Sequence, residues 1–413
     1  MPELYCAPGN EGISQLAECI PITATDHSSL LEFARSHGID LTIVGPEGPL
    51  AEGIVDEFEG AGLKIVGPGR VAAQLESSKS FAKDFMRRHN IPTAEYVIAN
   101  SPDEALATLR SGKFGPSGTP VVVKADGLAA GKGVVVASSR ALAEKAVAEL
   151  ASGALVAAEA AKQIVIEQAL EGREVSILLF AEGKHYALMP AARDHKRIGE
   201  NDSGPNTGGM GAITDPSVVD EQTLSRIVCE VIEPTLKGAY EEDFPFRGIL
   251  FIGLMLTAAG PKVLEYNVRF GDPETQAILV RLESDLSRIF EAMIDGTLGD
   301  VEVEWSAESS ACVVLASAGY PGSYETGKTI SGLEQFTAND DLQIFHAGTS
   351  KSAAGNLVTS GGRVLGITAS DTTLEQALAN CYSAIDKISW DGMQYRGDIG
   401  QFNEERSSSS DSK

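Results

Sequence analysis

Short apolar segments alternate with helical stretches along the first part of the chain. Two of these segments, Asp40 to Leu50 and Gly62 to Gly69, each run from a strand-like stretch into a Gly-Pro turn. The residues between them have apolar positions at helical spacing, so this part is predicted to form a βαβ unit. Ligands of such units tend to bind at the carboxyl ends of the strands, which here are the Gly-Pro turns.

Two further regions follow. From about residue 79 to 298 the pattern predicts a strand pair around a glycine loop, a helix, two strands, a polar stretch, a helix, two strands and a last helix from Pro273. From about 301 to 401 it predicts three strands and an amphipathic helix that begins at Thr372. We therefore expect a multidomain α/β and α+β fold, with domains at 1–78, 79–298 and 299–403 and a disordered tail at 404–413.

The segment VLEYNVRFGDPETQ, Val263 to Gln276, alternates at the period of a strand. Its apolar face is predicted to hold Leu264, Tyr266 and Val268. The opposite face carries Glu265, Asn267 and Arg269, a row too polar for packing. Glu265 and Asn267 lie about 7 Å apart along such a strand, and their oxygens suit Mg²⁺, which takes one or two carboxylates together with substrate oxygens. Arg269 offers a fork for phosphate or carboxylate.

A helix is predicted directly after this strand. Asp272 is expected to be its N-cap and Pro273 its first residue. Apolar residues then follow at core spacing: Ile278, Leu282, Leu286, Ile289 and Met293.

The glycine loop in VVVKADGLAAGKGVVVA, residues 121–137, is not a P-loop. Only three residues separate Gly127 from Gly131, Gly133 stands where Ser or Thr is needed, and a strand follows. The amides and Lys132 suit a flap over phosphates, but an ordinary flexible hairpin explains the loop equally well. Lys124, in the adjoining strand, favours the flap, because a buried ammonium needs a partner and phosphate would supply one.

Three other positions are weak signals by themselves. Lys83 is expected to be a solvated helix residue. The strand end from Glu167 to Leu170 could present backbone groups to a purine edge, and Glu174 could bind ribose hydroxyls. Ordinary strand and surface positions explain these residues at least as well.

The stretch DHKRIGENDSGPNTGGMGA, residues 194–212, is the polar segment least like packing. Asp194, His195, Lys196 and Arg197 precede a glycine-rich turn. Such a concentration favours a functional loop over a structural one, since loops on rigid scaffolds often carry function. His195 alone is expected to be a surface histidine. The turn itself is built on Asn206, Thr207, Gly208, Gly209, Met210 and Gly211.

Charge and cysteine content narrow the function classes. The 413 residues include 33 Lys and Arg against 58 Asp and Glu, a formal charge of −25. This balance argues against nucleic acid or anionic membranes as general partners. Five dispersed cysteines without a CxxC pair indicate reduced thiols in the cytoplasm, and neither a membrane-spanning run nor a signal peptide is predicted.

Together, the segments AKDF, VVVKADGLAAGKGV, DHKR, GPNTGGMGA and EYNVRFGDPETQ resemble the phosphoribosylamine–glycine ligase family of ATP-grasp enzymes. The resemblance covers nearly the whole chain and implies a Rossmann-like N-terminal domain, an ATP-grasp domain and a small mixed C-terminal domain. It also implies a reaction in which ATP, glycine and 5-phosphoribosylamine give ADP, phosphate and glycinamide ribonucleotide through glycyl phosphate.

The resemblance also implies a role for individual residues. Glu265 and Asn267 would bind Mg²⁺ or Mn²⁺. ATP would be held by Lys83, Lys124, Gly127, Gly131, Lys132, Gly133, Glu167, Leu170 and Glu174. Glycyl phosphate and phosphoribosylamine would be positioned by Asp194, Lys196, Arg197, Asn206, Thr207, Gly208, Gly209, Met210, Gly211, Arg269, Asp272 and Glu274.

Two departures from the family pattern qualify these expectations. The family normally begins with a strand and a GGREHA-type loop, whereas this chain begins at MPELYCAPGN, so its N-terminal domain is expected to be truncated. The strand GILFIGLMLT has no acid, unlike that of many ATP-grasp enzymes. One alternative is therefore an ATP-binding homologue that cannot ligate. Another is a different ATP-grasp carboxylate–amine ligase of purine synthesis, which would not explain NTGGMGA and RFGDPE.

Overall fold

A computed structural model describes residues 3–129, 133–154, 158–336 and 341–402. The N-terminal region contains two parallel strand pairs, β1 with β2 and β3 with β4. Helices α2 and α3 connect β3 to β4, which confirms the predicted βαβ unit. The elements are β1 (Tyr5–Cys6), β2 (Glu18–Cys19), α1 (His27–Ser36), β3 (Thr42–Ile43), α2 (Glu47–Glu52), α3 (Ile54–Gly60), β4 (Ile65–Val66) and α4 (Gln74–Ser77).

The middle region begins with a four-stranded antiparallel sheet in the order β5-β8-β6-β7. Helices α6 and α7 cover it and share a hydrophobic core with Val121, Val123 and Ile166. Ser78, Ser101 and Ser139 cap the helices that follow them. The elements are α5 (Lys79–Arg88), β5 (Tyr96–Ala99), α6 (Pro102–Arg110), β6 (Val121–Ala125), β7 (Val134–Ala137), α7 (Arg140–Ala151) and β8 (Ile164–Gln168).

The rest of the middle region contributes to a larger sheet. Its elements are β9 (Arg173–Glu182), β10 (His185–Leu188), β11 (Ala192–Asp194), β12 (Arg197–Gly199), β13 (Ser203–Asn206), β14 (Gly211–Thr214), α8 (Glu221–Ile227), α9 (Glu233–Glu241), β15 (Arg247–Thr257), β16 (Gly260–Asn267), α10 (Glu274–Leu279) and α11 (Leu286–Asp295). A π-helical segment, Val228–Ile232, joins α8 to α9. The 3₁₀ turns of the chain are Ile13–Gln15, Ala158–Ala161, Glu200–Asp202, Leu298–Asp300 and Leu333–Gln335.

The third region extends the same sheet, whose order is β16-β15-β9-β11-β14-β17-β21-β18. The antiparallel pairing of β14 with β17 carries the sheet across the predicted domain limit at 298/299. Because the two regions share this sheet, it does not show where one domain ends, and the predicted domain limits stay predictions. The elements are β17 (Ser309–Ser317), β18 (Leu342–His346), β19 (Thr349–Lys351), β20 (Leu357–Thr359), β21 (Arg363–Asp371), α12 (Leu374–Ile385) and β22 (Met393–Gln394).

Strand β16 contains a bulge that the alternation pattern missed. Gly253 lies opposite Glu265 and Leu254 lies opposite Val263, so Leu264 is the extra residue. The bulge resets the alternation, and Val263 joins Tyr266 in the core where Leu264 was expected. The polar face survives, because the bulge lies before Glu265.

The predicted helix from Pro273 is wrong in its extent and its cap. Asp272 caps neither α10 nor α11, and Asp285 caps α11. The predicted helix is interrupted where Leu282 makes a β-bridge with Trp305. The predicted core positions nevertheless pack in one hydrophobic cluster, because both short helices bury a face on the same sheet: Ile278, Leu282, Leu286, Ile289 and Met293.

All five cysteines are free. Within the described ranges, no helix is long and apolar enough to cross a membrane. The predicted tail at 404–413 lies outside the described residues.

Candidate functional site

Two lysines and one glutamate form a buried cluster beside the glycine loop. The Glu167 carboxylate lies 3.0 Å from Lys83 Nζ and 2.9 Å from Lys124 Nζ. Lys83 and Glu167 are each 2% exposed, and Lys124 is 5% exposed. We call these residues the lysine–glutamate cluster. The expectation of a solvated Lys83 is therefore wrong. Phosphate was the expected partner of Lys124, and the Glu167 side chain takes part of that role.

The charges of this cluster do not cancel. Burial raises the pKa of Glu167, but Lys124 and Lys83 outweigh burial and hold that pKa below its usual range. Burial lowers the pKa of Lys83 to about 8 against the opposing effect of Glu167. Two lysine side chains thus face one carboxylate, an arrangement that suits an anion as a further partner.

The cluster is tied to the end of β16. Lys124 Nζ donates a hydrogen bond of 3.0 Å to the Leu264 carbonyl at the bulge. Lys83 Nζ donates to Thr93 Oγ1, whose hydroxyl in turn donates to the Val263 carbonyl. These contacts place the small sheet against the strand that carries Glu265 and Asn267.

Glu265 and Asn267 form the polar end of β16. Burial raises the pKa of Glu265, but Lys196, Lys124 and Lys79 together outweigh it and keep the carboxylate ionised. Gly253, opposite Glu265, leaves room for its side chain, since a Cβ there would lie 3.3 Å from Glu265 Cγ.

This donor set fits a magnesium or manganese ion. One carboxylate and one amide oxygen are a typical protein contribution when phosphates complete the coordination sphere. The described residues contain no group of three or more His, Cys, Asp or Glu that could bind a metal by themselves. A metal at Glu265 would therefore depend on oxygens from a substrate.

Arg269 is held by the N-terminal region. Its Nη2 lies 3.0 Å from Glu76 Oε1, and its Nε lies 3.5 Å from Glu47 Oε2. Glu76 also accepts a hydrogen bond of 2.7 Å from the Val268 amide, and burial raises the pKa of Glu76 to about 7 despite Arg269. The guanidinium that was expected to meet a phosphate or carboxylate ligand is thus oriented by two protein carboxylates.

Residues 194–211, which we call the polar loop, fold around the β12–β13 hairpin. Lys196 Nζ lies 2.8 Å from Glu174 Oε2, and this carboxylate raises the pKa of Lys196 above its usual range. Arg197 donates to the Gly204 carbonyl and pairs in register with Asn206. These side chains brace the hairpin and bring Lys196 near Glu265.

The glycine-rich end of the polar loop mixes exposed and buried positions. Asn206 and Gly208 are exposed, whereas Met210 is fully buried in the core. The Thr207 hydroxyl accepts from the Gly209 amide and donates to the Lys196 carbonyl. Gly209 has φ +109°, and a Cβ there would lie 2.3 Å from Pro273 Cδ, so only glycine fits. Gly211 begins β14.

Two carboxyl groups lie behind this end of the loop, the buried Glu274 and the half-buried Asp194. Burial raises the pKa of Asp194, and the charge of Glu274 raises it further. Burial likewise raises the pKa of Glu274, although Glu274 accepts a hydrogen bond of 3.2 Å from Ser176. Asp194 Oδ1 is buried and has no hydrogen-bond partner among the described residues. Such an acceptor suits a cationic or protonated ligand group.

The remaining predicted positions are placed as follows. The Gly127 amide donates to the Ala160 carbonyl, and the Gly133 carbonyl accepts from the Ala125 amide. Leu170 is half-buried, two residues beyond β8. Gly131 and Lys132 lie outside the described residues.

Side chains from the third region make contacts that no local sequence pattern indicated. Arg363 Nη2 lies 2.7 Å from Asp272 Oδ2, and Tyr320 Oη accepts from the Gly208 amide. Arg396 lies 2.8 Å from Asp202 and also donates to the Arg197 carbonyl. Arg363 lies in the segment GGRVL, residues 361–365, but nothing within that segment links it to a loop more than 150 positions earlier.

The expectation that His195 is a surface histidine is also wrong, because His195 is buried. Its ring stacks on Phe402 with centroids 4.2 Å apart, and its Nε2 accepts a hydrogen bond from the Gly400 amide. Burial and the charge of Arg396 lower the pKa of His195 to about 4. The neutral imidazole therefore fastens the polar loop to the last described residues of the chain.

The phosphoribosylglycinamide synthetase family matches the chain in three consecutive parts. Its N domain matches residues 1–76, its ATP-grasp (A) domain residues 77–275 and its C domain residues 310–402. The chain is 47% identical over 400 residues to a phosphoribosylamine–glycine ligase of Brucella melitensis biotype 1, covering 97% of this chain and 92% of the relative.

Solved structures agree with these matches. A crystal structure of phosphoribosylamine–glycine ligase from Thermotoga maritima has a TM-score of 0.80 at 32% identity, covering 95% of this chain and 93% of the other. A biotin carboxylase domain of Hydrogenobacter thermophilus, solved with MgADP, has a TM-score of 0.69 at 16% identity, covering 95% and 86%, and supports the fold alone. The expected multidomain ATP-grasp fold is confirmed.

Proposed function

Because this chain belongs to the phosphoribosylglycinamide synthetase family, we propose that it joins glycine to 5-phosphoribosylamine at the expense of ATP. The products are glycinamide ribonucleotide, ADP and phosphate. The observation that carries this proposal is the arrangement at the end of β16. There Glu265 is kept ionised by Lys196, Lys124 and Lys79, next to the buried lysine–glutamate cluster.

The nucleotide lies against the small sheet in this proposal. Lys83, Lys124 and the loop from Gly127 to Gly133 bind the phosphates, because this part of the site has more ammonium groups than carboxylates. The Glu167 side chain is engaged with both lysines, so the purine is bound by backbone groups between Glu167 and Leu170. Glu174 is the proposed ribose ligand, and Lys196 would have to share it.

Glu265 and Asn267 are the proposed ligands of Mg²⁺ or Mn²⁺. When bound, such an ion neutralises charge on the phosphates of ATP. The ionised state of Glu265 supports this role, because a metal ligand must be deprotonated.

The reaction proceeds in two transfers. A carboxylate oxygen of glycine forms a bond to the γ-phosphorus of ATP as the bond to ADP breaks. The amine nitrogen of phosphoribosylamine then attacks the acyl carbon, phosphate leaves and the nitrogen loses a proton. Arg269, Lys196 and Arg197 supply positive charge for these anions. The other positioning groups are Asp194, Asn206, Thr207, Gly208, Gly209, Met210, Gly211, Asp272 and Glu274, where Met210 contributes only its backbone because its side chain is buried.

No nucleophilic side chain is needed, since proximity accounts for most of the second transfer. The formal charge of −25 supports small-molecule substrates over nucleic acid, and five free thiols support a cytoplasmic location.

The test is a reconstituted reaction with the full chain, ATP, Mg²⁺, glycine and freshly prepared phosphoribosylamine. We expect glycinamide ribonucleotide by mass spectrometry, in equal amount to the ADP released. Glycine labelled with oxygen-18 in its carboxylate should transfer one labelled oxygen to phosphate. Reactions without glycine or without phosphoribosylamine are the controls. ATP binding with no glycinamide ribonucleotide at saturating substrates would instead favour a homologue that cannot ligate.

A further inference from the structure

Gly208, at the tip of the polar loop, has both of its peptide groups held by side chains from the third region. Its amide donates a hydrogen bond of 3.0 Å to Tyr320 Oη. Its carbonyl accepts a hydrogen bond from Arg363 Nη1. An exposed glycine in a loop is normally free to change conformation. These two contacts instead fix the orientation of the two peptide groups that flank Gly208.

The same guanidinium also holds the turn that follows β16. Arg363 Nη1 donates to the Asp272 carbonyl at 2.8 Å, and Arg363 Nη2 donates to Asp272 Oδ2 at 2.7 Å. One planar group therefore connects the polar loop to the RFGDPE turn. The residues that it contacts, Gly208 and Asp272, are more than sixty positions apart in sequence. A guanidinium suits this task because its donors are rigidly spaced, whereas an ammonium is a single point.

Arg363 rests on a rigid platform. It is the first residue of β21, which pairs with β17 on one side and β18 on the other. The Tyr320 ring packs against Gly362, where a Cβ would lie 2.3 Å from the ring. Both contacts to Gly208 therefore originate from the end of the large sheet where β17 ends and β21 begins. The third region sets the position of the loop relative to the turn.

We propose that Arg363 is a positioning residue for the transfer of the glycyl group, acting through Gly208 and Asp272, with Tyr320 as its helper. This inference rests on the proposed function, in which both segments meet the acyl phosphate and the amine. Neither Gly208 nor Asp272 belongs to the lysine–glutamate cluster. Its effect should consequently fall on glycine and phosphoribosylamine and spare ATP.

The experiment compares Arg363→Ala, Arg363→Lys and Tyr320→Phe with the unsubstituted full chain. We expect Arg363→Ala to lower kcat/KM for glycine and phosphoribosylamine by about 100-fold, because a displacement of about 1 Å in a positioned group has that effect. The KM for ATP should change by less than about twofold, since uniform binding of ATP is untouched. Arg363→Lys should recover only a minor part of the loss, and Tyr320→Phe should show the same pattern more weakly.

The matched control is Arg110→Ala. Arg110 also makes two hydrogen bonds to one carboxylate, that of Glu144, but at the surface of the small sheet's helices. It should leave all kinetic constants unchanged. Adding guanidinium chloride at millimolar concentration should restore part of the activity of Arg363→Ala. It should not change the activity of Arg110→Ala.

Two results would overturn the inference. One is an Arg363→Ala enzyme with unchanged kinetic constants. The other is a loss that falls equally on ATP, or that guanidinium does not relieve, in a variant whose melting temperature is lowered, which would indicate a purely structural role. Tyr320→Phe guards against a folding failure, since it removes one hydroxyl and keeps the ring. If the unsubstituted chain makes no glycinamide ribonucleotide, the proposed function fails first.

Discussion

The two halves of the site are held in different ways. The lysine–glutamate cluster is stabilised by ion pairs between neighbouring elements, α5, β6 and β8, all within residues 79–168. The polar loop is held by residues from the far end of the chain, Arg363, Arg396 and Phe402. The ion pairs of one half are thus local in sequence, whereas the other half depends on contacts from the third region.

This difference predicts a division of labour. The proposed ligands of the purine and the phosphates lie in the small sheet and its adjoining segments, whereas Glu174 and the proposed metal ligands lie on β9 and β16. The acyl-transfer half needs the large sheet, whose strand order joins β14 of the middle region to β17 and β21 of the third. Perturbations of the third region should therefore uncouple ligation from nucleotide binding.

The largest effect is expected at the junction of the two halves, Glu265. Glu265→Ala should reduce kcat by about 1,000-fold, because the carboxylate is the proposed charged ligand of the metal and one preorganised electrostatic group is worth that much. The melting temperature should change much less than kcat, since Glu265 is only half-buried and lies near the end of β16. Steady-state kinetics and thermal unfolding measure the two quantities.

Glu144→Ala, which removes a surface ion pair with Arg110, is the matched control for Glu265→Ala. It should have no effect on kcat. Substantial activity of Glu265→Ala at saturating Mg²⁺ would contradict the metal-binding role. It would also remove the junction on which the comparison of the two halves depends.

The next effect concerns stability. Glu167→Gln leaves Lys83 and Lys124 buried without their carboxylate, and it should lower the free energy of unfolding by about 3–5 kcal/mol. The exposed pair Arg110–Glu144 provides the comparison, because Glu144→Gln should leave the free energy of unfolding almost unchanged. Urea titrations of both variants give the difference. Equal losses would mean that the lysine–glutamate cluster is not a buried unit.

Most elements were predictable because their cause is local. The hairpin β6–β7 and the strands β8, β9 and β15 follow from apolar runs bounded by glycine or polar residues. The polar face of β16, which we propose binds the metal, was predictable because Glu265 and Asn267 follow the bulge. The bulge itself and the short helices after Pro273 were not, since a β-bridge from Leu282 to Trp305 decides where the chain turns.

In the site, the residue types were predictable but their partners were not. Lys124 in an apolar strand indicated a buried cation, yet the sequence could not tell that Glu167 provides the counter-charge. Arg363 and Tyr320 act over more than a hundred positions, and no periodic pattern connects them to Gly208. Such contacts arise from the order of strands in the large sheet, which a one-dimensional pattern does not encode.

The smallest effect tests how the polar loop is fastened, through pH. His195 has a folded-state pKa of about 4, below its ordinary value of 6.5. The unfolded chain therefore binds a proton first, and the stability present above pH 6.5 is lost as pH falls toward 4, by up to about 3 kcal/mol. His195→Gln keeps an acceptor for the Gly400 amide but cannot titrate. Its unfolding free energy should fall less steeply between pH 6.5 and 4 than that of the unsubstituted chain. Identical pH profiles in urea unfolding would mean that the His195–Phe402 stack opens before the chain unfolds. The last described residues would then not hold the polar loop, which contradicts the comparison of the two halves.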